Sequence, residues 1–191
     1  PGDVLGLAID PEMTWLAAGG DDAIARLWNL DGELLFELKA PGIIRCLAAS
    51  ADGKLLAAAC SAGGESKEGM AVIWSVADGK QVAAWPAHAG GALAVAFSHD
   101  GKLLATSGAD RQVRLWSARD WKEARALAYD GEIVDLAFQP HGDDLAGAGH
   151  DPCRPDQPGH AIVWDASKGD MKHKLASLSG HMHGVVYSPD G

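Results

Sequence analysis

The segment GHDPCRPDQPGH (149–160) gathers His150, Asp151, Cys153, Asp156 and His160, side chains of the kinds that ligate zinc and other transition metals. Their spacing matches no zinc motif, and the prolines and glycines among them describe an exposed connecting loop instead. GHMHG (180–184) sets His181 and His183 at i and i+2, where one strand face could present both to an ion. A loop running into a strand explains them without one. SAGGES (61–66) has the composition of a phosphate-cradling loop, but neither the lysine nor the following helix. The carboxylate pairs Asp21–Asp22 and Asp143–Asp144 would serve acid–base chemistry only inside a cleft. Asp is favoured in turns because its side chain bonds nearby backbone. No GxSxG, HExxH or P-loop occurs, nor GxGxxG in a strand–turn–helix setting. The expectation is a chain without catalytic residues, metal or cofactor.

Composition narrows the partners. Sixteen Lys+Arg against 26 Asp+Glu give a formal charge of −10, and no basic run is present. Binding through nucleic-acid phosphates is therefore disfavoured. No apolar run approaches the length that spans a bilayer, so no membrane partner is expected. Cys46, Cys60 and Cys153 cannot all pair within one chain, and no CxxC or CxxCH occurs. Buried free thiols are expected; they tilt an otherwise open question of location towards a reducing, cytoplasmic compartment.

The elements that hold these residues recur. Trp28, Trp74, Trp116 and Trp164 each end an apolar run (AIARLW, MAVIW, QVRLW and AIVW), at separations of 46, 42 and 48 residues. A turn marker precedes the later three, as SADGKLLAAA (50–59), SHDGKLLATS (98–107) and QPHGDDLAGA (139–148). DPEMTWLAAG (10–19) fills that slot in the first unit, with Met13 where the others carry Gly, and YSPDG (187–191) opens it a fifth time. Each unit reads as four short strands: a first strand such as IRCLAA or IVDLAF, a tight turn, an LLAAA-type strand, the Trp strand and a more polar fourth. One such sheet cannot bury both faces alone, so similar sheets must stack beside it.

Period, SxDG turn and Trp-Asp-like ending together resemble WD40 repeats, over essentially the whole chain. The resemblance implies an all-β propeller segment of four four-stranded antiparallel blades plus the first strand of a fifth. The units expected are approximately 3–40, 41–87, 88–129 and 130–178, with a partial unit at 179–191, in one domain spanning 1–191. In the family a Trp, a Ser/Thr, a turn Asp and a loop His form a hydrogen-bonded clasp. Carried over, this assigns His88, Ser107 (or Thr106), Asp110 and Trp116 in the third unit. The first unit offers Asp22 and Trp28 with Gly19 in place of the Ser; Trp74 and Trp164 mark the second and fourth. Nine residues before Ala49 and Phe138 stand Ala40 and Tyr129, so the loop His is missing there, and His181 is out of register. Those blades are expected to be held by packing, with the clasp optional.

The resemblance also implies a non-catalytic scaffold that binds protein partners through loops on one rim. In this chain those loops carry Asp21, Arg45, Glu65, Lys67, Glu68, Arg111, Glu132, Asp151 and Arg154. An alternative makes the chain the propeller portion of a bacterial multidomain protein, of kinase or cytochrome type, whose chemistry lies outside the segment. A propeller hydrolase or lyase would need His, Asp and Arg converging on the axis, whereas the first strands are mainly Leu, Ala and Val. The inserts 60–70 and 149–160 lengthen the second and fourth units and are expected as exposed loops on one face. The unit arithmetic predicts an open arc truncated at both ends, completed by missing blades in cis or by self-association. Of the tryptophans outside the repeat, Trp121 is read either as an interface anchor or as packing against a neighbouring blade.

Overall fold

The computed structural model describes residues 2–62, 68–129, 131–150, 159–176 and 182–191. Within them the chain forms sixteen strands and no helix. Each set of four consecutive strands is one antiparallel meander. The first sheet holds β1 (Val4–Ile9), β2 (Trp15–Gly20), β3 (Ile24–Asn29) and β4 (Leu34–Lys39). The second holds β5 (Gly42–Ala49), β6 (Leu55–Ala62), β7 (Glu68–Ser75) and β8 (Gln81–Ala89). The third holds β9 (Ala92–Phe97), β10 (Leu103–Gly108), β11 (Gln112–Ser117) and β12 (Glu123–Ala128). The fourth holds β13 (Glu132–Phe138), β14 (Asp144–His150), β15 (His160–Asp165) and β16 (Met171–Ala176).

Local chemistry sets the turns. Ser50 Oγ donates to Asp52 Oδ1 (2.7 Å) and accepts from Leu55 N (2.9 Å). Ser98, Asp100 and Leu103 repeat this at 2.8 and 2.9 Å. Gly53 and Gly101 supply the left-handed residue, at φ +66° and +70°. In the first sheet Asp10 takes over, accepting from Thr14 N and Trp15 N, and Met13 is forced to φ 55°. The register then repeats: Leu16, Leu56, Leu104 and Leu145 face Trp28, Trp74, Trp116 and Trp164. The ladder to each fourth strand shifts at that Trp in all four sheets.

Three apolar clusters lie between successive sheets. Leu56, Ala57, Ala58, Ala59 and Cys60 of β6 are all fully buried, because the second sheet is covered on both faces and its small side chains admit close neighbours. Trp74, Trp116 and Trp164 each pack towards the preceding sheet. Among the described residues no sheet precedes Trp28, which is half-buried. The turn after each third strand meets the preceding sheet's outer strand: Gly79 lies against Phe36, Trp121 against Trp85, Gly169 against Arg125. The corresponding Gly32 meets nothing. First strands neighbour one another in the order β1, β5, β9, β13, and the arrangement is open.

Two expectations change. Residues 60–62 and 68–70 are not loop but extend β6 and β7, with Cys60 paired to Met70 and fully buried. The longer hairpin satisfies backbone groups that a loop would leave to solvent. That extension carries β8 to Ala89. Residues 182–188 form no fifth first strand. Every first strand pairs with the second strand of its own sheet, and among the described residues no such partner exists for 182–188. Val185 N donates instead to Asp135 Oδ2 of β13 (2.8 Å).

Candidate functional site

In the third sheet a polar group is built on neighbouring strands. Thr106 lies diagonal to Trp116 on the same face of the β10–β11 pair, because Leu104 is directly opposite Trp116 and side chains alternate faces. Trp116 Nε1 donates to Thr106 Oγ1 (2.8 Å), and the Thr106 hydroxyl reaches His88 Nε2 (2.7 Å). His88 Nδ1 stands 2.8 Å from Asp110 Oδ1. Arg114 Nη1 donates to Asp110 Oδ2 (2.7 Å) and to the Ala87 carbonyl (2.8 Å), and lies 2.7 Å from His88 Nδ1. A bare Nδ1 lone pair would repel the carboxylate, so the proton belongs on Nδ1, and Nε2 accepts from Thr106. The chain of donors then runs from Trp116 through Thr106 to His88, and from His88 to Asp110.

Burial pushes the His88 imidazole below its ordinary pKa, against the opposing pull of Asp110. Burial raises Asp110, but hydrogen bonds from Arg114 and His88 outweigh it and hold the carboxyl below its usual range. The His88 side chain is wholly enclosed, bonded to Thr106 on one side and to Asp110 on the other. The arrangement fixes the end of β8 onto the third sheet.

Ser107 does not belong to this group. One residue along β10 it faces the opposite side, where its hydroxyl donates to the Ile133 carbonyl of the next sheet (2.7 Å). Arg114 was not foreseen, although arginine stands two residues before tryptophan in both ARLW and VRLW. In the first sheet Asp22 pairs with Arg26 (2.6 Å), and Arg26 Nε bonds Glu37 (3.0 Å). Trp74 and Trp164 are buried in the intersheet cores. Tyr129 packs edge-on against Trp164, at 6.5 Å.

Asp21, Arg45, Glu68, Arg111 and Glu132, of the expected rim residues, occupy one edge of the sheets, where second strands end and third strands begin. Asp21 is exposed in the β2–β3 turn, and Arg111 takes φ 60° in the β10–β11 turn. Arg45 is exposed on β5, its Nε donating to Ser61 Oγ (3.1 Å). Glu68 opens β7, exposed, and half-buried Glu132 opens β13. Glu65, Lys67, Asp151 and Arg154 lie outside the described residues, as do Cys153, Asp156 and His181. Trp121 stacks on Trp85, with ring centroids 5.6 Å apart, which resolves its two readings in favour of packing. Burial pushes the thiols of Cys46 and Cys60 up to about 11 and about 12. Among the described residues no three His, Cys, Asp or Glu side chains converge to hold a metal ion. At the opposite edge a cleft of about 340 Å³ lies between two turns, with His99 and His141 edge-to-face at 5.5 Å.

The family model described as "WD domain, G-beta repeat" matches residues 1–29, 32–75 and 79–117. Telomerase protein component 1 of Rattus norvegicus is 31% identical over 73% of this chain and 5% of its own length. Protein groucho of Drosophila melanogaster is 28% identical over 91% of this chain, and transducin beta-like protein 3 of Rattus norvegicus 26% over 93%. The chain spans 22% of each of those two. With four stacked meanders sharing one register, and family matches over more than half of its residues, the chain belongs to the WD40 repeat family.

Proposed function

We propose that the chain is a non-catalytic scaffold that binds protein partners through the connections at the edge where second strands end and third strands begin. The supporting observation is the shared edge itself: Asp21, Arg45, Glu68, Arg111 and Glu132 all belong to it, on sheets locked by three apolar interfaces. A rigid base means that little ordering entropy is lost when a partner docks. Charges of both signs there would steer encounter more than add affinity. Since the chain spans 22% or less of these relatives, any chemistry of a longer parent protein is assigned to other segments.

The test is site-specific photo-crosslinking. Probes at Asp21, Arg45, Arg111 and Glu132 should give partner adducts, identified by mass spectrometry, that probes at Asp52 and Asp100 on the opposite edge do not. Equal adducts from both edges would remove the reading.

A further inference from the structure

We propose that the cleft between the third and fourth sheets, on the edge opposite the rim, is a receptor for a guanidinium group carried on an aliphatic stem. The fold makes such a cleft twice. Between the second and third sheets Leu55, Phe97 and Ala118 line one of about 440 Å³. Between the third and fourth, Leu103, Phe138 and Ala166 line one of about 340 Å³. The positions match: the start of a second strand, the end of the next first strand, and the residue after the next third strand. Both sheets that bound the smaller cleft have all four strands.

What distinguishes the smaller cleft is charge. The turns SADGK (50–54) and SHDGK (98–102) end in Lys54 and Lys102, which pair with Asp52 (3.3 Å) and Asp100 (2.8 Å). The aligned turn QPHGD (139–143) puts Asp143 where those lysines stand. Asp100 and Asp143 both line the cleft, and Lys102 lies in the field of both, so one ammonium faces two carboxylates. Among the described residues no Lys or Arg lines the cleft itself. Of the cations nearby, Lys168 pairs with Asp165 (3.3 Å), and Arg125 donates to the Ser167 and Lys168 carbonyls. Unbalanced negative charge therefore stands above an apolar floor.

That combination selects the ligand. The floor takes a methylene stem, as long basic side chains cover apolar surface while their charge stays at its polar margin. A guanidinium suits the margin better than an ammonium, because it is planar, weakly hydrated and offers several donors to two carboxylates. It also stacks on aromatic faces, and the rings of His99 and His141 stand in the walls 5.5 Å apart. The walls are set beforehand: the Asp143 carbonyl accepts from Ala166 N (2.8 Å), and Ser98 Oγ donates to Asp100 and accepts from Leu103 N. Little order is then lost on binding.

The inference does not rest on the scaffold reading. A crosslinking probe at Asp100 removes one of these carboxylates, so the two tests read separately. The test here titrates the full chain with the blocked tripeptide Gly-Arg-Gly and follows the ring C–H resonances of His99 and His141 by NMR. Saturable shifts are expected. The same tripeptide with citrulline, a neutral group of the same shape, should bind about 10-fold more weakly or worse, the scale of a lost charge-assisted hydrogen bond. Asp143→Lys should weaken the arginine peptide as much, and it installs at an exposed position the residue that the second and third turns already carry. Free arginine forms a second arm: tighter binding of the blocked peptide makes a partner's side chain the source, and equal or weaker binding makes it a free small molecule. No saturable shift at either histidine, equal affinity for the citrulline peptide, or undiminished binding by Asp143→Lys would overturn the proposal, and rim crosslinks would stand unaffected.

Discussion

Replacing Thr106 by valine keeps the shape of the side chain and removes one hydroxyl that serves two buried partners. Trp116 Nε1 then loses its acceptor and His88 Nε2 its donor, both in an enclosed site. An unsatisfied buried polar group costs about 1–3 kcal/mol, so two should cost about 2–5 kcal/mol, set against a small gain from burying a methyl. For a domain of this size, with a urea slope of about 2 kcal/mol/M, the midpoint should fall by at least about 1 M. Adding Trp116→Phe, which deletes one orphaned donor, should cost less on the Thr106→Val background than on the wild type, by about 1 kcal/mol. Ser107→Ala, which releases a single carbonyl contact to the next sheet, should cost less than Thr106→Val. A Thr106→Val midpoint within about 0.2 M of wild type, or a larger loss from Ser107→Ala, would refute the assignment of Thr106 as the bridge.

Acid should weaken the fold in two stages. His88 has a folded pKa below its ordinary 6.5, so the unfolded chain takes up the proton first; stability is full above that value and falls as pH drops from it towards the depressed folded value. Asp110, held below its ordinary 3.8, adds a second loss beginning near that pH, and urea midpoints unchanged between pH 8 and 5 would contradict the first stage. Met13→Gly should stabilise the first sheet by about 0.5–1 kcal/mol, because left-handed backbone costs a side chain about 1–2 kcal/mol while glycine's extra freedom in the unfolded chain takes part of it back. A melting temperature that falls on this change would show that Met13 makes contacts worth more than its strain.

The four-stranded unit and the stacking of sheets were legible because their signals are local. Trp28, Trp74, Trp116 and Trp164 at near-equal intervals, each after a turn and an apolar strand, leave a four-stranded sheet as the unit that repeats. The turns were equally readable, since Ser50, Asp52 and Gly53 act within a few residues of one another. Thr106 and Ser107 could not be told apart in that way. Adjacent strand residues face opposite sides, and only the register that puts Leu104 across from Trp116 decides which of them faces the indole. The role of Arg114 depends on the Ala87 carbonyl, brought in by another sheet. Trp121 looked equally suited to a free surface until Trp85 of the preceding sheet met it. The hairpin that absorbs 60–62 and 68–70 follows from backbone pairing that polar composition conceals. Asp110 takes its part in the clasp because β8 of the preceding sheet brings His88 to it, and only tertiary packing decides that.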